Sequence, residues 1–244
     1  MRHIYGVIIG SEILDARRVD KHFEFLQKSL QDINETLYGS FIIKDDPLLI
    51  KNIYNLIKSD PHSIMFSFGG IGSTPDDYTR LCASEVFDDG KLYPHPKFSN
   101  DIIERFGDEA YPNRIKMAHL PKNSALLYNV INNMSGFYLD DRYFFMPGFP
   151  QMSHPMVSEA IERFIPANKK LYRNSLLAHT SEDRLIHIMT ELDDTIELSS
   201  LPIISSEGAR VEISVASTDE RASKEAITLF VEFLQSSGIY FHFI

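Results

Sequence analysis

A cluster of glycines followed by acidic residues, Gly69-Gly70-Ile71-Gly72-Ser73-Thr74-Pro75-Asp76-Asp77, is the part of the sequence best suited to phosphate chemistry. Glycines let a ligand approach the backbone closely, and free amides at a helix start bind phosphate. The segment is not a P-loop, because no Gly-Lys-Ser/Thr follows, and Pro75 stands where a dinucleotide fingerprint would have its third glycine. The residues alone leave open both a phosphate-binding loop and a tight turn that binds nothing.

Two pairs of carboxylates accompany this cluster. Asp76 and Asp77 either offset the dipole of a following helix or hold a divalent cation that neutralises phosphate charge. Asp45 and Asp46 follow an earlier strand, which would bring them to the same edge of a parallel sheet. Acids from two strand ends in one crevice suit metal-assisted phosphoryl chemistry. The segment Pro147-Gly148-Phe149-Pro150 is either the other wall of this crevice or only a rigid turn.

Strand-like and helix-like segments alternate over the first two-thirds of the chain and must position these residues. In chain order we predict strand His3–Ile9, helix Asp20–Gln31, strand Tyr38–Ile43, helix Leu48–Lys58, strand Ser63–Phe68, a helix opened by Thr74 and Pro75 that runs through Val86, an irregular loop over Lys91–Ser99, strands Ala125–Tyr128, Gly136–Leu139 and Tyr143–Met146, and a helix after Pro147 that runs through Phe164. This order favours an α/β fold with a three-layer, mostly parallel sheet covered by helices.

Pro166 marks a predicted boundary between a domain of residues 1–165 and a smaller domain of residues 166–244. The second domain is predicted to contain strand Leu171–His179, helix Ser181–Leu192, strands Thr195–Leu198 and Val211–Ala216, helix Asp219–Gln235 and strand Gly238–Phe243. The order β-α-β-β-α-β is that of a small α+β, ferredoxin-like domain.

Composition excludes several classes of protein. The 244 residues carry a formal net charge of −10, which does not provide the basic field that nucleic-acid binding usually needs. The single cysteine, Cys82, excludes a disulfide framework and cysteine-rich metal sites. The start of the chain lacks the hydrophobic core and cleavage site of a signal peptide, and no uncharged run is long enough to cross a membrane. We therefore expect a cytoplasmic protein that binds neither nucleic acid nor membranes.

With these segments placed, residues 1–165 resemble the MoaB/Mog family of molybdopterin-binding domains, most closely the N-terminal part of the competence/damage-inducible CinA proteins. The glycine cluster, with Asp77 in ninth position, matches the family motif Gly-Gly-x-Gly-x-x-x-x-Asp. The other matching segments are the opening Gly10-Ser11-Glu12-Ile13-Leu14 followed by Asp20, the acidic pair Asp45-Asp46, and the later signature of Pro121, Asn129, Gly136-Phe137 and Pro147-Gly148-Phe149-Pro150. The second domain resembles, less specifically, the small α+β domain that follows in CinA proteins.

The chain also departs from the family pattern. Lys21-His22 replaces the Thr-Asn that follows the aspartate, Asn132-Asn133 replaces a glycine, and Gln151-Met152 replaces a common Glu-Met. The resemblance ends before the deamidase domain with which CinA proteins continue, so that activity is not expected here.

The resemblance implies two functions. One is metal-dependent hydrolysis of a nucleotide diphosphate such as ADP-ribose or FAD, with Mg²⁺, Mn²⁺ or Co²⁺. Asp77 would then hold the metal, and Asp45 would be a second ligand or would orient the attacking water. The other is molybdopterin binding in molybdenum-cofactor assembly, without hydrolysis. A domain that retains the fold with an inactive pocket is a further alternative.

In both functions the resemblance implies a nucleotide or pterin ligand and self-association as a dimer or trimer. The residues expected to contact the ligand are Gly10, Glu12, Asp20, Gly69, Gly70, Gly72, Ser73, Thr74, Asp76, Asn129, Pro147, Gly148 and Pro150.

Overall fold

The computed structural model of the chain describes residues 2–205 and 208–244. The chain divides into two units, Met1–Ala167 and Asn168–Ile244, and each unit has its own hydrophobic core.

The first unit is built on a six-stranded sheet in the order β2-β1-β3-β8-β7-β6. Strands β2, β1, β3 and β8 run parallel, whereas β7 and β6 each pair antiparallel with their neighbour. A separate two-stranded sheet joins β4 and β5. The strands are β1 His3–Ile9, β2 Leu37–Ile43, β3 Ser63–Phe68, β4 Tyr93–Pro94, β5 His119–Leu120, β6 Ala125–Leu127, β7 Gly136–Leu139 and β8 Tyr143–Met146.

Helices cover both faces of this sheet. They are α1 Ser11–Leu14, α2 His22–Gln31, α3 Pro47–Lys58, α4 Thr79–Phe87, α5 Pro96–Phe106 and α6 Pro150–Phe164, with 3-10 turns at Gly107–Ala110 and Arg114–Ala118. Helices α2 and α6 contribute buried side chains to one core, and α3, α4 and α5 contribute to the other. The three-layer α/β fold predicted from the sequence is thus confirmed, with a mixed rather than wholly parallel sheet.

Alternation along the strands divides the apolar side chains between the two cores. In β1, Ile4 and Ile8 face the α2–α6 side, whereas Val7 and Ile9 face the α3–α5 side. Successive side chains of a strand point to opposite faces, so a strand buried on both sides reads as a continuous apolar run. This is why the central strands were predictable from short runs of hydrophobic residues.

The sequence-based prediction was wrong for the start of α4. The helix begins at Thr79, not at Pro75, and Thr74 does not cap it. The amide of Thr74 instead donates to the Asp77 carboxylate over 2.7 Å, which closes residues 74–77 into a turn. Asp side chains that bond to nearby backbone in this way compete with helix formation.

The prediction of an irregular loop over Lys91–Ser99 was also wrong. Strand β4 and the start of α5 lie within it. His95 is the N-cap of α5, where its ring accepts a hydrogen bond from the Phe98 amide over 3.4 Å, and Pro96 occupies the first turn. Proline is favoured at that position, so the two prolines that suggested a loop in fact include a helix start.

The second unit contains β9 Tyr172–Ala178, α7 Ile186–Met189, β10 Glu197–Ser205, β11 Gly208–Ser217, α8 Glu220–Ser236 and β12 Phe241–Phe243. Its sheet has the order β10-β11-β9-β12, and all neighbours are antiparallel. This is the order expected for the predicted ferredoxin-like plan.

The first helix of the second unit is much shorter than the predicted Ser181–Leu192. A 3-10 turn at Glu182–Arg184 precedes α7. Beyond α7, the Asp193 side chain accepts hydrogen bonds from the Thr195 amide and hydroxyl over 2.8 and 2.6 Å. Such a turn offers the backbone an alternative to helix and helps to end it.

None of the helices within residues 2–205 and 208–244 combines the length and apolar character that crossing a bilayer requires.

Tyr54 provides a test of the packing between α3 and the sheet. Its side chain is fully buried, and its hydroxyl lies 2.7 Å from the Ser67 Oγ on β3, which is also buried. Tyr54→Phe leaves that serine without its partner, so we expect the free energy of unfolding to fall by about 1–2 kcal/mol. Urea denaturation would measure the change. Tyr38→Phe, at a ring that is 61% exposed, is the control and should change stability by less than about 0.5 kcal/mol. Equal effects of the two substitutions would contradict this account.

Candidate functional site

The loops that follow the four parallel strands meet at one edge of the first unit's sheet. The Gly10 amide, after β1, donates to the Ile43 carbonyl at the end of β2 over 3.0 Å. The Gly69 amide, after β3, donates to the Met146 carbonyl at the end of β8 over 2.9 Å. These bonds extend the strand pairing into the loops and hold all four together, at the edge where ligands of such sheets bind.

Each glycine of the cluster occupies a position that a side chain would obstruct. Gly69 has a φ of +99°, and a Cβ there would overlap the carbonyl oxygen of Ile9. Gly70 has a φ of +68°, and its Cβ would overlap the Thr79 hydroxyl. That hydroxyl donates to the Gly69 carbonyl over 2.9 Å, and the Thr79 amide donates to the Gly70 carbonyl over 3.0 Å. The glycines thus allow the start of α4 to fold back against the loop.

Asp77 is held by the loop that it closes. Its Oδ2 accepts hydrogen bonds from the Thr74 amide over 2.7 Å and from the Thr74 hydroxyl over 2.5 Å. A Cβ on Gly72 would come within 2.7 Å of the same oxygen, so the third glycine makes room for this carboxylate. Oδ1 of Asp77 accepts no hydrogen bond from the described residues and remains available.

Asp45 is held in the same way from another loop. Its Oδ2 accepts hydrogen bonds from the Ser11 amide over 2.8 Å and from the Ser11 hydroxyl over 2.9 Å. Asp45 thereby satisfies the start of α1, since Gly10 provides no side-chain cap. Its Oδ1 also has no hydrogen bond to the residues that the structure describes. Neighbouring Asp46 differs, because it caps α3 by accepting from the Leu49 amide over 2.8 Å.

These loops enclose a cavity of about 540 Å³, which we call the glycine-loop cavity. Eleven of the residues predicted to bind ligand or metal line it: Glu12, Asp45, Gly69, Gly70, Gly72, Ser73, Thr74, Asp76, Asp77, Pro147 and Gly148. The prediction from sequence that acids from two strand ends border one crevice therefore agrees with the geometry.

Two further predicted residues, Asp20 and Pro150, line a neighbouring cavity of about 560 Å³, which we call the histidine-side cavity because His22 and His154 also line it. The Asp20 carboxylate, one residue before the N-cap Lys21, accepts hydrogen bonds from the amides of His22 and Phe23 over 2.9 and 3.0 Å and so satisfies the first two amides of α2.

Gly10 and Asn129 line neither cavity. A Cβ on Gly10 would lie 3.2 Å from the carboxylate of Glu12, which lines both cavities. Asn129 is buried, and its side chain bonds within its own loop to Asn132, Met134 and Ile131. That network gives Asn129 a role in shaping the loop that carries Met134 to the cavity.

An apolar wall of the glycine-loop cavity was predicted from the sequence only in part, through Phe149 of the segment Pro147-Gly148-Phe149-Pro150. It consists of Phe98, Met117, Met134, Phe149 and Met152. Phe98 and Met117 come from the segment between α4 and β6, in which Pro121 is the one residue that the family resemblance singled out. The apolar spacing of Phe98 and Ile102 after Pro96 was the signal that could have revealed α5.

Ser135 also lines this cavity and has no matching motif. It is only 3% exposed, and its hydroxyl has no hydrogen-bond partner among the described residues. A buried polar group without a partner is costly, so this hydroxyl is a group that a ligand could satisfy.

Arg80 joins the glycine loop to the segment that carries Met117. Arg80 is 7% exposed, and its guanidinium donates to the Gly72 carbonyl over 2.6 Å and to the carbonyls of Lys116 and His119. Burial lowers the pKa of Arg80, and the charge of Asp77 opposes that shift. Arg80 therefore positions the loop and does not line the cavity.

His22 links α2 to the loop after β8. Its ring stacks on Phe68 with centroids 4.5 Å apart, and its Nε2 lies 3.3 Å from the Gly148 carbonyl oxygen. Nδ1 lies 3.4 Å from the Ser153 hydroxyl. Burial lowers the pKa of His22 below its ordinary value of 6.5, although Asp20 opposes the shift. A neutral ring can donate from Nε2 and accept at Nδ1, which matches these neighbours.

Comparison with known proteins assigns the family. The model of the probable molybdopterin binding domain matches residues 6–167, and the chain belongs to that family. The resemblance stated from the motifs is therefore confirmed.

The chain is similar in sequence to CinA-like proteins. A CinA-like protein of Sulfurihydrogenibium is 30% identical over 174 residues, which are 68% of this chain and 43% of the relative. A protein of Pyrococcus furiosus is 26% identical over 96% of both chains. The chain spans about half the length of the CinA-like relatives that it matches.

The fold also matches a solved structure. The crystal structure of the CinA protein of Thermoplasma acidophilum, described there as of unknown function, superposes with a TM-score of 0.59 at 23% identity. The match covers 66% of this chain and 96% of that one. At this identity the likeness establishes the fold.

Gly69→Ala tests the close approach of the glycine loop to β1. We expect a loss of about 2–4 kcal/mol in the free energy of unfolding, because the methyl group adds an overlap with the Ile9 carbonyl to the cost of a positive φ. Gly90→Ala is the control, since Gly90 also has a positive φ, of +80°, but a Cβ there would meet its nearest atoms, in Glu85, only at 4.0 Å. It should cost about 1 kcal/mol. Equal losses in urea denaturation would show that the overlap is relieved without cost.

The buried state of His22 predicts a pH dependence of stability. Because its pKa is lowered on folding, the unfolded chain binds more protons, and the free energy of unfolding should fall as pH drops from about 7 to about 5. Burial also lowers the pKa of His95, His119 and His154, so His22→Asn should reduce this fall without abolishing it. Urea denaturation across this range would measure the slope. The exposed His62 is the control site, and an identical slope in His22→Asn and His62→Asn would refute the assignment.

Proposed function

We propose that this chain hydrolyses the diphosphate bond of a nucleotide, such as ADP-ribose or FAD, in a reaction that requires a divalent metal. The observation that carries the proposal is that two carboxylates at one cavity are held by the same pattern of hydrogen bonds. Asp45 and Asp77 each bind one amide and one hydroxyl through Oδ2, and each leaves Oδ1 available beside the glycine loop.

The charge of the glycine-loop cavity supports the requirement for a metal. Its lining includes the carboxylates of Glu12, Asp45, Asp76 and Asp77, but only one guanidinium, that of Arg18. A diphosphate would meet repulsion there unless a cation bound with it. Divalent metal is therefore part of the proposal.

The available side chains suit Mg²⁺ or Mn²⁺ bound partly by the ligand and water, and not a metal whose ligands all come from the protein. No group of three or more His, Cys, Asp or Glu side chains within the described ranges could hold a metal ion. Mg²⁺ is commonly bound by one or two carboxylates together with water and substrate phosphates. Asp77 and Asp45 would supply the carboxylates, and the ligand would complete the set.

In the proposed reaction a water oxygen attacks one phosphorus atom and the bond from that phosphorus to the bridging oxygen breaks. ADP-ribose would yield AMP and ribose 5-phosphate, and FAD would yield AMP and FMN, with the proton of water released to solvent. A bound metal would neutralise charge that develops on the phosphates. The amides of Gly70 and Gly72 and the hydroxyl of Ser73 would bind the diphosphate. Gly69 and Thr74 would shape the loop, since the Gly69 amide already donates to Met146 and the Thr74 hydroxyl to Asp77.

Asp77 would hold the metal, and Asp45 would be either a second ligand or the group that orients the attacking water. The apolar wall would accept the flat ring of the ligand, and the unpartnered hydroxyl of Ser135 could hydrogen-bond to it.

The second candidate function is molybdopterin binding without hydrolysis. The family model that matches residues 6–167 describes a probable molybdopterin binding domain, and the apolar wall suits a pterin as well as an adenine. Self-association as a dimer or trimer and a cytoplasmic location stay predictions in both cases.

The decisive measurement is AMP release from ADP-ribose and from FAD with Mg²⁺, Mn²⁺ or Co²⁺. Asp45→Asn and Asp77→Asn should each lower turnover by about 10²-fold or more, because each removes a charge from the reacting centre and leaves an oxygen for the loop. Asp46→Asn is the matched control, since it removes a neighbouring charge while asparagine can still cap α3. It should retain turnover.

Metal-dependent AMP release that survives Asp77→Asn would refute the assignment of this carboxylate. No release from the folded wild-type chain with any metal would refute hydrolysis. Co-purified molybdopterin would then support the second candidate.

A further inference from the structure

The glycine-loop and histidine-side cavities share part of their walls. Ile9, Glu12, Arg18 and Gly148 line both. A ligand long enough to reach from the glycine loop to the histidine-side cavity would therefore pass Arg18. The two volumes, about 540 and 560 Å³, leave room for a ligand larger than a mononucleotide.

Arg18 is the only cationic side chain, among the residues described, that lines both cavities. In the glycine-loop cavity it is the only cation at all within the described lining, which otherwise carries carboxylates. The backbone amides and a metal on Asp77 can serve one phosphate there. A second phosphate at the shared wall would meet the guanidinium of Arg18, whereas Lys21 lines only the histidine-side cavity.

The guanidinium of Arg18 contacts an aromatic ring but forms only a weak ion pair. Its centre lies 5.4 Å from the centroid of the Phe149 ring, which provides a cation–π contact. Its ion pair with Glu12 is long, at 3.7 Å, and the two side chains are 46% and 38% exposed. Exposed pairs of this kind contribute little, so an incoming phosphate can replace Glu12 as the partner of Arg18. The planar guanidinium donates two parallel hydrogen bonds to a phosphate, which an ammonium cannot do.

We infer that Arg18 binds the second phosphate of a diphosphate ligand at the junction of the two cavities, and that it makes the site select nucleoside diphosphates over monophosphates. The inference rests on the proposed function for the class of ligand, but it concerns binding and does not require that the bond be hydrolysed. It assigns the part of the ligand beyond the diphosphate to the histidine-side cavity.

Binding of two probes by isothermal titration calorimetry in Mg²⁺ tests the inference. The probes are AMP and α,β-methylene-ADP, in which a CH₂ group replaces the bridging oxygen and prevents hydrolysis. We expect the wild-type chain to bind the methylene-ADP at least about tenfold more tightly than AMP, as for one charge-assisted contact. Arg18→Gln should lose most of this preference, with little change in the affinity for AMP, and Arg18→Lys should recover only part of it.

Arg17→Gln is the matched control. Arg17 lies one position away, is 70% exposed, pairs with Asp15 over 3.6 Å and lines neither cavity. Its loss removes the same charge from the chain, so the wild-type preference should persist. A preference that falls equally in both variants would reveal general electrostatics and overturn the inference, as would a wild-type chain that binds methylene-ADP no more tightly than AMP.

The hydrolysis assay separates this outcome from that of the proposed function. AMP release from ADP-ribose with an unchanged KM in Arg18→Gln would overturn the role of Arg18 and leave the proposed function intact. An Arg18-dependent preference without any AMP release would overturn hydrolysis and leave the inference intact.

Discussion

The close approach of the loop after β3 to the ends of β1 and β8 is the constraint on which the rest of the site depends. The backbone at Gly69 passes beneath the Ile9 carbonyl and bonds to that of Met146, and a Cβ on Gly148 would lie only 3.5 Å from the Gly69 Cα. Only a residue without a side chain fits at this crossing. Once the loop is held there, α4 can return across it and Asp77 can close the turn.

The same local hydrogen-bonding arrangement positions Asp45 and Asp77, the two candidate ligands of the metal. In each case a serine or threonine donates its amide and its hydroxyl to one oxygen of an aspartate, which orients the second oxygen outward. The bonds also stabilise the loops themselves, since Asp45 satisfies the start of α1 and Asp77 closes the loop before α4. Fold and site therefore share these contacts, which restrain each carboxylate before any ligand binds.

Arginine side chains offset part of the negative charge of the site. Two arginines lie close to the acidic residues of the glycine-loop cavity, and they have different roles. Arg80 is buried, and its two terminal nitrogens donate to backbone carbonyls, which fixes the loop. Arg18 is half exposed and has only a long ion pair with Glu12. The buried cation thus builds the cavity, and the exposed one is free to meet a ligand.

Sequence patterns alone were enough to predict the family, the succession of strands along the chain and the two acidic pairs at strand ends, because glycine spacing, apolar runs and strand-end acids are local patterns that recur for local reasons. They misjudged the start of α4 and missed α5, since a side-chain bond at Asp77 and a cap at His95 outweighed the general helix and turn signals. The three-dimensional arrangement was needed to see that Arg18, Phe98, Met117 and Ser135 border the site and that Asn129 does not. Those neighbours come from segments far apart in the chain, and packing between the two faces of the sheet, which no local pattern records, brings them together.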